Sequence, residues 1–140
     1  MKRFVPLLFL LTSFQMLGQQ HVEWTVNYDS NSNQLIIESI IDQGWHIYSQ
    51  DQDEAIGPIA TSFEIKAEDT VIRRVKEPAP IVKKDPNFGG ELMYLEGQPQ
   101  FKAKLPEGVR GVVTGEIVYM SCNEEGCLPP KMKKFKLIIK

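Results

Sequence analysis

Val22, Trp24, Val26 and Tyr28 alternate with Glu23, Thr25 and Asn27. That period of two turns one side of an extended chain toward a core and the other toward water. Asp29-Ser30-Asn31-Ser32-Asn33 is a cluster of turn formers, and residues 35–41 form an apolar return run, so the pattern predicts an opening hairpin. Gly44-Trp45-His46-Ile47-Tyr48 reads as an aromatic strand, and the polar stretch 50–58, ending in Gly57-Pro58, as a loop. Further strands are predicted over residues 61–65, 70–75, 100–105, 112–121 and 133–139. In the last of these Phe135, Leu137 and Ile139 face one way, and Lys134, Lys136 and Lys140 the other. Pro78, Pro80, Pro86, Pro99, Pro106, Pro129 and Pro130 all fall between the runs, where a missing N–H does no harm. No window sustains a 3.6-residue period, and no internal repeat is present. Short strands divided by turn signals predict an all-β fold, an antiparallel β-sandwich. At this length about two-thirds of the unfolded surface can be buried, enough for a full core.

The N-terminus departs from this pattern. Met1-Lys2-Arg3 is a short basic start, followed by the apolar run 4–11 and then Thr12-Ser13-Phe14. This is the layout of a secretory signal peptide, with an apolar stretch far short of the ~20 residues a spanning helix needs. A signal peptide is therefore expected over residues 1–18, cut at Gly18/Gln19, with the mature domain over 19–140. An uncleaved anchor is the competing reading. No cysteine lies near the cut, so a lipid anchor is not expected. An exported domain folds where disulfides persist.

Composition changes the picture in two places. The 140 residues carry 16 Lys and Arg against 18 Asp and Glu, a net charge of −2. Without residues 1–18, which hold Lys2 and Arg3 and no acid, the balance becomes more acidic. A nucleic-acid footprint needs clustered base, so nucleic acid is not an expected partner. At 42% hydrophobic and 24% charged the chain is an ordinary globular one. There are only 2 cysteines, Cys122 and Cys127, which excludes both a disulfide-dense scaffold and a four-cysteine zinc site.

The pair sits in Tyr119-Met120-Ser121-Cys122-Asn123-Glu124-Glu125-Gly126-Cys127-Leu128-Pro129-Pro130, between two predicted strands. A hairpin there could bring the sulfurs together. A disulfide closing so small a loop removes only ~2 kcal/mol of unfolded-state entropy, against ~4.7 for a 100-residue loop. A domain with a full core gains little from it, whereas a short hairpin disulfide, expected to be exposed, is well placed for exchange, which needs access to a sulfur. Redox exchange and a structural staple both stay open on this evidence from spacing. A metal site would need more ligands than His21 and His46, neither of which has a neighbour at finger-like spacing. His46, between Trp45 and Ile47, reads as a packed aromatic-like residue. The spacing is not the C-x-x-C that opens a helix in thioredoxin. Glu124 and Glu125, which lie between the cysteines, disfavour a thiolate, and Lys131 and Lys133 oppose that. The pair reads as a reluctant nucleophile that exchanges with a dedicated partner.

Tyr119-x-x-Cys122-x4-Cys127-x-Pro129-Pro130 resembles the active-site hairpin of the N-terminal periplasmic domain of DsbD, the thiol:disulfide interchange protein of Gram-negative bacteria. Gly44-Trp45-His46-Ile47-Tyr48 is similar to the aromatic strand of that family. Gly57-Pro58 with Thr61-Ser62-Phe63 fits many relatives, and Asp85-Pro86-Asn87-Phe88-Gly89 leading to Tyr94 falls where the family has a loop capping the cysteines. The resemblance covers most of residues 22–140 and implies an immunoglobulin-like sandwich. It implies a protein-disulfide reductase component that relays electrons from a thioredoxin-like donor to oxidised proteins of the periplasm. Cys127 would form the mixed disulfide and Cys122 would resolve it. Phe88, within the loop 85–90, would shield the pair, and Asp85, Tyr48 and His46 would lie near the sulfurs. The sulfurs carry the electrons, so no metal or organic cofactor is expected.

Three departures qualify the match. The cysteine spacing is shorter than in the best-known members, and Pro86 stands where an acidic neighbour of Asp85 is usual, which speaks against a two-acid site. The chain stops at Lys140 without the membrane and thioredoxin-like portions of DsbD, so the expected unit is the sandwich alone, not membrane-embedded, with its donor a separate protein. The rival from another class is a binding or adhesion sandwich with a structural hairpin disulfide.

Overall fold

The computed structural model describes residues 20–86 and 88–140. The expected signal peptide and its cleavage point lie outside the described residues. Among the described residues eleven strands follow in chain order: β1 (Val22–Asp29), β2 (Gln34–Ile41), β3 (His46–Tyr48), β4 (Ser62–Ala67), β5 (Thr70–Ile72), β6 (Ile81–Asp85), β7 (Gly90–Leu95), β8 (Gln100–Lys104), β9 (Gly111–Tyr119), β10 (Ser121–Cys122) and β11 (Lys131–Ile139). They form three sheets, ordered β1-β2-β8, β10-β3-β7-β6 and β11-β9-β4-β5. Every pairing is antiparallel. The sheets share one core, to which β1 gives Val22 and Trp24, β2 Leu35 and Ile37, β3 Ile47, β4 Phe63 and Ile65, β7 Leu95, β8 Phe101 and β9 Val113 and Ile117. This is an immunoglobulin-like antiparallel β-sandwich.

The alternations seen in sequence are the reason these segments form strands. In β1 Val22 and Trp24 are buried while Glu23 and Thr25 are exposed. Trp24 anchors the centre, with its ring 5.7 Å from Phe101, 5.4 Å from Tyr119 and 6.3 Å, edge-on, from Phe63. Such aromatic pairs add directional attraction to area burial. The turn after β1 is set by Asp29, whose carboxylate accepts from the Asn31 N–H at 3.0 Å and the Ser32 hydroxyl at 2.6 Å.

Three elements differ from the sequence expectation. The strand expected over 70–75 ends at Ile72, because the Gln50 side chain claims both backbone groups of Val75, at 3.0 and 3.1 Å. The strand expected over 112–121 breaks at Met120, where the chain leaves the sheet of β11 and β4 to pair with β3. The β6–β7 hairpin was not anticipated. Ile81, Val82, Lys83 and Lys84 are all exposed, so this edge strand shows no alternation to read. The loop over 50–58 also contains a short 3-10 turn, Glu54–Ile56, capped by the Asp53 carboxylate.

Candidate functional site

The site is one face of the sheet β10-β3-β7-β6. Directly paired residues on antiparallel strands point to the same side. Cys122 pairs with His46, Tyr48 with Tyr94, Lys83 with Leu92, and Asp85 with Gly90. Residues two apart on a strand share a face, so Cys122, His46, Tyr48, Tyr94, Leu92, Lys83 and Asp85 come together. Ile47 and Leu95, at the intervening positions, point instead into the main core. Tyr48, Leu92 and Cys122 form a small second cluster, with Ile56, Tyr94 and Met120 packed against it. Above it lies a cavity of about 580 Å³, whose lining includes both cysteines, His46, Tyr48, Asp85 and Phe88.

Cys122 and Cys127 are joined by a disulfide, with their Cα atoms 4.0 Å apart. Ladder hydrogen bonds flank it, from the Asn123 N–H to Gly126 O and from the Leu128 N–H to Ser121 O, each 2.9 Å. The Asn123 side chain shapes the tip by accepting from the N–H groups of Glu125 and Gly126, at 2.9 and 3.0 Å. The sequence reading took the pair as exposed. The structure corrects half of this: Cys127 is exposed, but Cys122 is 2% exposed, because β10 carries it beneath the cavity.

His46 and Tyr48 are joined by a hydrogen bond of 3.0 Å between imidazole Nε2 and phenol Oη. The imidazole also meets the Tyr48 ring edge-on at 5.2 Å and the Tyr94 ring at 4.9 Å. Burial pushes the His46 pKa down; Glu96 opposes this and Lys83 adds to it. Burial, reinforced by the negative charge of Asp85, pushes Tyr48 up to about 12. Near neutral pH the imidazole is therefore uncharged and the phenol keeps its proton. Trp45, on the opposite face, stacks on His21 at 3.8 Å and takes no part in the site. Among the described residues, no group of three or more His, Cys, Asp and Glu side chains converges to hold a metal ion.

The loop 85–90 is the turn of the β6–β7 hairpin, closed by the N–H groups of Phe88 and Gly89 on Asp85 O, at 3.2 and 3.1 Å. It rests on the 3-10 turn. A Cβ on Gly57 would stand 2.9 Å from Phe88 Cδ1, and one on Gly90 2.6 Å from Ile56 Cδ1. Gly57 also has φ +140, a region that favours glycine. Gly57, noted in the sequence beside Pro58, thus makes the seat for Phe88, which remains 40% exposed. Lys83, Leu92 and Glu96 are lining residues that sequence reasoning missed, since the hairpin that carries Lys83 and Leu92 and leads into Glu96 was not legible.

Fold and site together define an immunoglobulin-like sandwich that carries one buried and one exposed half of a hairpin disulfide beside an aromatic cavity. Residues 14–139 match the family described as thiol:disulfide interchange protein DsbD, N-terminal. The chain belongs to that family. Among solved structures, it is similar to the DsbD N-terminal domain of Neisseria meningitidis in the reduced form, with TM-score 0.63 and 16% identity over 84% of this chain and 85% of that one. The complex between the DsbD and PilB N-terminal domains of the same organism gives TM-score 0.64 and 14% identity, over 82% and 80%. The N-terminal periplasmic domain of ScsB from Proteus mirabilis gives TM-score 0.58 and 15% identity, covering 89% of this chain and 49% of that one. At these identities the likeness is one of fold. No curated protein matches the sequence. Family and disulfide together fit thiol–disulfide interchange. Among the described residues, no helix is long and apolar enough to cross a membrane.

Proposed function

We propose that residues 19–140 act as an exported electron-relay domain, released from a signal peptide over 1–18, whose Cys122–Cys127 pair cycles between dithiol and disulfide. The observation that carries this reading is the asymmetry of the pair: Cys127 is exposed and Cys122 is 2% exposed. An incoming thiolate reaches Cys127 Sγ and breaks the Cys122–Cys127 bond, whose electron pair leaves on Cys122; a second attack by the donor then frees Cys127. In the forward direction the Cys127 thiolate attacks an oxidised substrate, and Cys122 attacks Cys127 Sγ to release that substrate reduced. Two electrons pass, and no cofactor is needed.

The donor in this proposal is a thioredoxin-like protein or domain, and the acceptors are oxidised proteins of the periplasm. A DsbD N-terminal domain in complex with a PilB N-terminal domain supports a protein partner, and the periplasmic ScsB domain supports the compartment. The loop 85–90, led by Phe88, covers the pair until a partner displaces it. Asp85, Tyr48 and His46 form the wall behind the sulfurs.

The reduction potential tests the proposal. A value between about −120 and −270 mV, the range of exchange proteins, is expected; one below about −300 mV would mark a structural staple. A Cys122→Ser variant should accumulate a mixed disulfide through Cys127. Trapping only by Cys127→Ser would reverse the assignment of roles.

A further inference from the structure

We infer that His46 takes the proton of Cys122 when that sulfur resolves the mixed disulfide. The inference rests on the relay proposed above and concerns its second step. Once Cys127 is joined to a substrate, Cys122 is a thiol and must lose its proton to attack. Cys122 is 2% exposed, so bulk water is a poor acceptor for it. His46 is its direct partner across the β10–β3 ladder. Side chains so paired have Cβ atoms about 4.5–5.5 Å apart, within reach of an imidazole.

The other groups facing His46 are poor candidates. Tyr48 on its own strand is a phenol whose proton burial holds in place, and Tyr94 on β7 and Lys83 on β6 bring only a second phenol and an amine. Asp85 on β6, Glu96 after β7, and Glu124 and Glu125 on the hairpin tip also line the cavity, but a carboxylate is a much weaker base toward a thiol than an imidazole. His46 is the cavity-lining group that is both uncharged near neutral pH and basic enough, and burial reinforces its neutral state. In the productive tautomer the Nε2–H donates to Tyr48 Oη at 3.0 Å, leaving the Nδ1 lone pair for the thiol proton.

The step balances. The Cys122 proton passes to His46, and the thiolate electron pair forms the Cys122–Cys127 bond. The bond from Cys127 to the substrate sulfur breaks, and that sulfur leaves with its electron pair. The imidazolium then releases its proton to the departing thiolate or to solvent.

The reduced protein, mixed rapidly with dithiobis(nitrobenzoate), tests this. Attack by Cys127 releases one coloured thiolate in a bimolecular phase, and attack by Cys122 releases the second in a unimolecular phase. His46→Gln, which keeps a polar partner for Tyr48, should slow the second phase about 10²-fold relative to the first near neutral pH. Its second phase should go on rising with pH where the wild type levels off. Tyr48→Phe keeps the imidazole and should move the pH midpoint of that phase. A second phase with unchanged rate and pH profile in His46→Gln overturns the inference while leaving the relay standing. If Cys127→Ser, rather than Cys122→Ser, retains the bimolecular release, the assignment of sulfur roles fails, and the inference with it.

Discussion

Reducing the Cys122–Cys127 bond should leave the fold intact and cost only about 2 kcal/mol of stability. The bond spans a sequence separation of 5, and closing so small a loop removes about 2 kcal/mol of unfolded-state entropy. Neither cysteine belongs to the main core built around Trp24, Phe63 and Phe101, so that packing survives reduction. The buried Cys122 thiol stays compatible with its surroundings as a small apolar group. Urea unfolding of oxidised and fully reduced protein, followed by fluorescence of the core Trp24, measures the difference. With a slope on the order of 1.5 kcal/mol/M, the midpoint should fall by roughly 1.3 M. The same energy, read through the two-electron couple, places the potential of the folded pair roughly 40–50 mV below that of the unfolded chain. Serine variants should split: Cys127→Ser should cost about what reduction costs, while Cys122→Ser should add about 1–3 kcal/mol for a buried hydroxyl. A loss of 4–5 kcal/mol on reduction, or an unfolded reduced chain, would refute the reasoning and make the bond a staple.

Other outcomes follow from the same geometry. Gly57→Ala should speed reduction of the disulfide by a small thiol roughly 5–30-fold by unseating Phe88, equivalent to about 1–2 kcal/mol, and should add nothing in a Phe88→Ala background; equal effects in both backgrounds would separate Gly57 from the cap. Tyr48 carries a pKa raised from 10.0 to about 12 by burial and Asp85, so above pH 10 the unfolded state sheds a proton that the folded state retains. Stability should therefore fall as pH rises from about 10 to about 12, with a smaller fall in Tyr48→Phe, as read by chemical unfolding at each pH. Gly115→Ala would set a Cβ 2.1 Å from Phe135 Cζ, and the overpacking should cost about 1–3 kcal/mol, largely recovered by Phe135→Ala in a melting experiment.

Much of the sandwich was legible because its core strands have one wet and one dry face. β1 and β11 alternate in sequence as they do in burial. The hairpin around the cysteines was legible from its strand flanks. β6 was not, because an edge strand exposed on both faces carries no alternation. With it went Lys83 and the knowledge that the loop 85–90 is a hairpin turn. The His46–Cys122 pairing could not be read either, since it depends on the register of strands 76 positions apart in sequence. The run Leu35-Ile36-Ile37-Glu38-Ser39-Ile40-Ile41 is apolar at both parities. Pairing with β1 and β8 decides that Ser39 is buried while Ile40 is 42% exposed.

By itself, then, the sequence determined an antiparallel all-β domain and a cysteine pair on a hairpin, because alternation and turn chemistry are local properties. Only the tertiary structure decided that one sulfur is buried and the other exposed, and that His46 is the ladder partner of Cys122. Only there does Phe88 find its seat on Gly57. Those facts depend on which strands lie side by side and in what register, and that is set by burying one shared core across the whole chain rather than by any short segment of it.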